Sequence, residues 1–222
     1  MTISITELST YLGVSPATIE RWVKQGKLLA YSKGEDDLKF RIKEVKLWAA
    51  RQNIRLNIPE DGKDSPVEGR VISLSRAVRN GGVYTDIQGD DKAAILKSCV
   101  EKLDHIPEDF KQDLLERLFD RERALSTGIG NGIAIPHPRD PLVYLPHPMV
   151  MACFLETPVD YQALDQKPVS ILFIILSNTL KSHLPLLSAL SMCLKDKEFS
   201  IFLTSKPDLD SLSDRIETLL AH

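Results

Sequence analysis

Long apolar runs are missing from this chain of 222 residues. No stretch reaches the roughly 20 residues that a membrane-spanning helix requires. The start, Met1-Thr2-Ile3-Ser4-Ile5, lacks the basic-then-apolar order of a secretory leader. Cysteine is scarce as well. Cys99, Cys153 and Cys193 are odd in number, far apart and set in apolar surroundings, which argues against a disulfide framework and a thiolate metal site. They read as buried free thiols in a reducing compartment, so the expected location is the cytoplasm. What remains is a globular composition, 43% hydrophobic and 27% charged. It suffices for one large domain, or for one domain plus a small module.

Net charge is only −3, but it is unevenly spread: residues 1–56 carry +4, residues 57–70 carry −2 and residues 71–222 carry −5. The basic head is the part expected to meet a polyanion. Residues 57–70 hold two prolines, two glycines and six charges. They offer no core stripe and read as a linker between the head (1–56) and the body (71–222).

In the head, Ser4 and Glu7 have the spacing of a capping box, with Ile3 and Leu8 at the staple positions. Leu8, Tyr11 and Leu12 supply one apolar face before Gly13 closes the helix. Ser15-Pro16 opens a second helix, an N-cap followed by proline at the first helical position, running past Trp22 to Gly26. Residues 28–31 and 38–42 flank a charged turn and read as a hairpin wing. Residues 43–52 read as a third helix with Val45, Leu47, Trp48 and Ala49 apolar. Two short helices around a glycine-containing turn are the pattern of a helix-turn-helix. Tyr11-Leu12-Gly13-Val14-Ser15, Thr18-Ile19, Arg21-Trp22, Gly26 and Arg41 resemble the small MerR/excisionase-type winged helix-turn-helix domain. That resemblance implies DNA binding with the second helix in the major groove, where Ala17, Thr18, Glu20, Arg21 and Lys24 would face outward. The wing tip, Glu35-Asp36-Asp37, would repel phosphate and argues against wing contacts. A charged helix face used for protein docking is the competing reading. One small module touches few bases, so a homodimer is the expected DNA-bound form.

In the body, Asp90 is expected to cap a helix through Ile95, Val100 and Leu103, and residues 108–123 form another with Phe110, Leu114, Leu115 and Leu118 on one side. The apolar runs 133–135, 150–155 and 170–176 suit strands covered on both faces, as in an α/β sheet. Ser182 is expected to cap a helix carrying Leu187, Leu190 and Leu194, and Asp208 begins the last helix. Between these elements, Gly128, Gly130 and Gly132 place three glycines in five residues, followed by a short strand and then His137. Glycines let main-chain N–H groups crowd toward an anion. Ser126, Thr127, Gly128, Gly130, Asn131 and Gly132 therefore read as a phosphate loop. A neutral histidine is a competent nucleophile near pH 7, so the pattern suggests phosphate handed to and from His137. Pro136-His137-Pro138 and Pro146-His147-Pro148 with Asp140 invite a metal-site reading, but the intervening prolines and the missing tight third ligand argue against it. No metal is expected.

Arg121-Glu122 and the run from Ser126 to His137 resemble the fructose/mannitol-type (type 2) enzyme IIA domain of the bacterial phosphoenolpyruvate-dependent phosphotransferase system. Phe154-Leu155, Pro158-Val159-Asp160, Leu164-Asp165, Lys167-Pro168-Val169, Leu172-Phe173 and His183-Leu184 continue the match. The similarity spans nearly all of residues 71–222, with Pro138 standing where glycine is common in the family. It implies an α/β fold, a mixed sheet flanked by helices, behind the small winged helix-turn-helix. It also implies phosphorylation of His137 by a histidine-containing phosphocarrier protein, with Arg121 binding the phosphate, His183 beside it, and no cofactor. Such transfer needs positioning and charge stabilisation. Arg121 can fork two hydrogen bonds to phosphoryl oxygens, although Glu116, Asp120 and Glu122 also offer it an ordinary helix ion pair. The family has a nitrogen-regulatory branch without a permease, and no permease segment occurs here. The expected function is a phosphorylation-responsive regulator with a DNA-binding head. Two alternatives stand beside it: a carrier passing phosphate to a IIB partner for sugar uptake, and a phosphorylatable interaction module that binds no DNA.

Overall fold

The structure, a computed structural model, describes residues 2–32, 38–52, 54, 56–58, 72–104 and 106–221. The wing tip Glu35-Asp36-Asp37 and most of the expected linker lie outside them. The chain divides into two compact units.

The N-terminal unit runs β1 (Thr2–Ser4), α1 (Ile5–Leu12), α2 (Pro16–Lys24), β2 (Tyr31–Ser32), β3 (Leu38–Arg41) and α3 (Ile42–Arg51). Glu7 N–H donates to Ser4 Oγ at 3.2 Å and Ser4 N–H to Glu7 Oε2 at 2.8 Å, so the capping box forms as expected. Gly13 takes the left-handed conformation that ends α1 (φ 63°). Strand β1 has no precedent in the sequence reading, which gave Ile3 only a staple role. Ile3 pairs across the ladder with Phe40 and both are buried; three residues are too few for alternation to announce a strand. Trp22, Ile19, Leu8 and Val45 fill the core, and the Trp22 and Trp48 rings lie 5.3 Å apart.

The larger unit contains α4 (Leu74–Gly81), β4 (Val83–Ile87), α5 (Lys92–Glu101), α6 (Glu108–Ala124), β5 (Gly128–Gly130), β6 (Ile133–Ala134), β7 (Met149–Val159), β8 (Val169–Leu176), α7 (Leu180–Lys195), α8 (Lys197–Leu203) and α9 (Leu209–Leu220). It is the α/β arrangement expected, a five-stranded mixed sheet in the order β4-β7-β8-β6-β5. The β4–β7 and β8–β6 pairs are parallel; β7–β8 and β6–β5 are antiparallel. The long apolar runs become β7 and β8, buried on both faces because helices cover both sides. Ile171, Phe173 and Ile175 of β8 meet Leu186 and Leu190 of α7, Phe199 of α8 and Leu212 and Ile216 of α9 in one core.

Two expected caps move. Asp91, rather than Asp90, caps α5 by accepting from Ala94 N–H at 2.8 Å, and Thr179, rather than Ser182, caps α7. In each case an earlier or later polar residue has the extended backbone a cap needs. Helix α4 and strand β4 complete the sheet edge without having been anticipated. At Gly81 a Cβ would sit 2.3 Å from the Val150 carbonyl oxygen, so glycine there lets α4 rest directly on β7.

Candidate functional site

Strand β6 sits between β5 and β8, and the chain leaving it is pinned on both sides. Ile135 N–H donates to Thr127 O at 3.0 Å, and Ile175 N–H donates to Pro136 O at 3.0 Å. His137 therefore emerges from a fixed backbone, half-buried at the strand end. Its Nδ1 lies 2.8 Å from Ile135 O, and Arg121 Nε lies 3.3 Å from its Nε2. A carbonyl only accepts and a guanidinium only donates. Both neighbours thus select the tautomer with hydrogen on Nδ1 and the lone pair on Nε2.

Arg121 stands in the last turn of α6, where its Nη1 also donates to Leu125 O at 2.8 Å. The ion pairs that would have given it an ordinary role form elsewhere: Asp120 pairs with Arg123 and Glu122 with Lys92. His183, in the fourth residue of α7, brings its ring centroid to 5.1 Å from that of His137. Ser177 Oγ, at the end of β8, lies 3.1 Å from His183 Nδ1. The three residues singled out from the sequence, His137, Arg121 and His183, converge from β6, α6 and α7.

The six residues read as a phosphate loop lie in and beside a hairpin. Gly128–Gly130 is a strand, and Gly128–Ala134 a tight hairpin. Thr127 N–H donates to Glu122 Oε1 at 3.0 Å, Gly128 N–H to Ser126 Oγ at 3.2 Å and Asn131 N–H to Asp165 Oδ2 at 2.9 Å. Ser126 Oγ itself donates to Tyr161 O. The N–H groups of Thr127, Gly128 and Asn131 are committed in this way, and the run forms a hairpin that leads to His137. Its glycines answer crowding: a Cβ on Gly128 would meet Ala163 Cα at 2.8 Å. Glu122, Asp165 and Ser177 were given no such role by the sequence, since nothing in their spacing marks which histidine or hairpin they serve.

Burial is the largest influence on both imidazoles and pushes both pKa values below the ordinary 6.5; on His137, Arg121 adds to this while the Ile135 carbonyl and Glu122 oppose it. The neutral, nucleophilic form therefore persists below the pH at which a free histidine protonates. Followed by NMR, the His137 ring should still be neutral at pH 6.5 and protonate only at lower pH. A ring already half-protonated at 6.5 contradicts this. The same shift has a stability sign: the unfolded chain binds protons more readily, so stability falls as pH drops below about 6.5.

On α2, Ala17, Glu20 and Lys24 are exposed and Arg21 half-exposed. Thr18 is not outward: it is fully buried, its hydroxyl 2.9 Å from the Ser15 Oγ that caps the helix. It belongs to the helix start and is removed from the candidate groove contacts.

Residues 78–217 match the family described as phosphoenolpyruvate-dependent sugar phosphotransferase system, EIIA 2. The chain belongs to this EIIA family. Residues 2–53 match a helix-turn-helix domain model. A nitrogen regulatory protein of Pseudomonas aeruginosa is 33% identical over 145 residues, covering 64% of this chain and 93% of the relative. The fructose-specific EIIABC component of Bacillus subtilis is 31% identical over 148 residues, 65% of this chain but 23% of its own length. Among solved structures, nitrogen regulatory protein IIA-Ntr from Neisseria meningitidis superposes with a TM-score of 0.55 at 27% identity, covering 67% of this chain and 97% of that one. No helix among the described residues is long and apolar enough to cross a membrane.

Proposed function

We propose that the chain is a phosphorylation-responsive regulator: the EIIA unit (71–222) takes phosphate on His137 Nε2 from a histidine phosphocarrier protein, and the head (1–56) binds DNA. The observation that carries the reading is the imidazole held between Ile135 O at Nδ1 and Arg121 at Nε2. The Nε2 lone pair attacks phosphorus as the donor's N–P bond breaks. The ring, still protonated at Nδ1, then bears positive charge, which the Ile135 carbonyl stabilises. Arg121, already beside Nε2, turns its donors to the phosphoryl oxygens. His183 stands on the open flank of the same centre. Leu180 and Leu184, both about two-thirds exposed on the helix carrying His183, offer apolar contact for a protein donor.

The phosphoryl group adds nearly two negative charges at one point, enough to bias a regulatory equilibrium. The nitrogen regulatory relatives favour this use over transport. Incubation with phosphoenolpyruvate, enzyme I and the phosphocarrier should produce one acid-labile, base-stable phosphohistidine, placed at Nε2 of residue 137 by NMR. Label on another residue, or none, refutes the acceptor assignment.

For the head, full-length protein should bind DNA with a strong salt dependence, and Arg21→Ala or Lys24→Ala should weaken it and flatten the slope by about one unit each. Selection from a random duplex pool followed by titration at several salt concentrations measures both. No binding at low salt would favour the interaction-module reading of the helix face.

A further inference from the structure

We propose that Glu122 is a positioning residue for His137, holding the imidazole and Arg121 in mutual register through a buried cluster with Lys92 and Thr127. The inference deepens the acceptor reading and rests on it.

The Glu122 side chain is only 4% exposed. Oε1 accepts from Lys92 Nζ at 3.2 Å and from Thr127 N–H at 3.0 Å; Oε2 accepts the Thr127 hydroxyl at 2.6 Å. A buried carboxylate survives only when paired and hydrogen-bonded, and well-packed apolar residues would commonly serve stability as well. Its partners here lead to the site. Thr127 O accepts from Ile135 N–H, and Ile135 O accepts from His137 Nδ1–H. Glu122 is thus two residues removed from the imidazole along one unbroken line of hydrogen bonds. Each link crosses a Cα rather than a conjugated peptide, so position is transmitted rather than charge.

The other end of the register is Arg121. Successive side chains on a helix are about 100° apart. With Glu122 locked inward by three hydrogen bonds, its neighbour is directed along the flank of α6 to His137 Nε2. One carboxylate therefore references both the ring and the cation that must meet the phosphoryl group. Its negative charge also opposes the effect of burial on His137, which favours the ring charge that phosphate acceptance creates.

Full-length protein with 15N-labelled histidine reports the tautomer of His137 directly. The unaltered chain should show hydrogen on Nδ1. Glu122→Gln, which keeps shape but not charge, and Thr127→Val, which removes one hydroxyl, should each give mixed tautomers. They should also lower the single-turnover transfer rate about 10- to 100-fold, with the half-saturating donor concentration unchanged within about twofold. If either variant melts earlier yet keeps the tautomer and the rate, Glu122 is structural and the proposal is overturned. Should Glu122→Gln fail to fold, Thr127→Val still decides. A chain that accepts no phosphate overturns the acceptor reading instead, while the tautomer continues to test the positioning.

Discussion

His137→Ala should accept no phosphate at all, and Arg121→Ala should accept it about 10²- to 10³-fold more slowly. A single preorganised donor aimed at developing charge is worth on the order of 3–4 kcal/mol of barrier. Arg121 has the placement for that effect before any donor arrives, with Nε 3.3 Å from the nucleophilic nitrogen. Arg121→Lys should recover little, because one mobile ammonium replaces a planar fork and the Nε contact is lost. Rapid-quench transfer from phosphorylated carrier gives the rate constants, and circular dichroism confirms that the variants remain folded. An Arg121→Ala rate within about threefold of the unaltered chain would show that the phosphoryl charge is met elsewhere, with His183 as the next group to test.

That expectation draws on residues legible in the sequence in two different ways. His137 is tied to a local pattern, the glycine run and the end of a short apolar strand, whereas Arg121 and His183 are marked by the resemblance to the EIIA family. Local patterns also gave the strands β7 and β8, the caps at Ser4 and Ser15, and the start of the last helix at Asp208. What stayed hidden was set by distant partners. The glycine run reads as wholly loose only while Ala163 and Asp165, which crowd and tie it, are unplaced. Thr18 occupies an outward-looking slot on α2 until Ser15 claims its hydroxyl. Helix α4 does carry a legible stripe, Leu74, Ala77, Val78 and Gly81, but only if glycine is counted as apolar, and the reason for glycine lies in the backbone of β7. Glu122 is the extreme case. Beside Arg121 it looks like an ordinary surface ion-pair partner, and its burial depends on Lys92, thirty positions earlier.

Phe173→Ala should cost about 3–5 kcal/mol of stability, the usual range for removing a buried aromatic side chain. Phe173 is fully buried in β8, the strand through which β7 and β6 are joined. Its cross-strand neighbour is Ala152, which has no side chain able to move into the void. On the helix side, Leu186, Leu190 and Phe199 are themselves held at near-zero exposure by their own packing, so little relaxation is available and the cavity remains. Urea unfolding should show an earlier midpoint with an unchanged slope for the transition of this unit. The loss bears on the site as well, because Ile175, two residues along, ties β8 to Pro136 O and so to His137. Local opening of β8 should therefore become more frequent, and amide exchange at Ile175 should accelerate in step with the lost stability. A penalty under about 1 kcal/mol would mean that the surrounding helices collapse onto Ala152 after all. If Ile175 exchange were also unchanged, the segment leading to His137 would have to be held by its bond to Thr127 on the hairpin side rather than by β8.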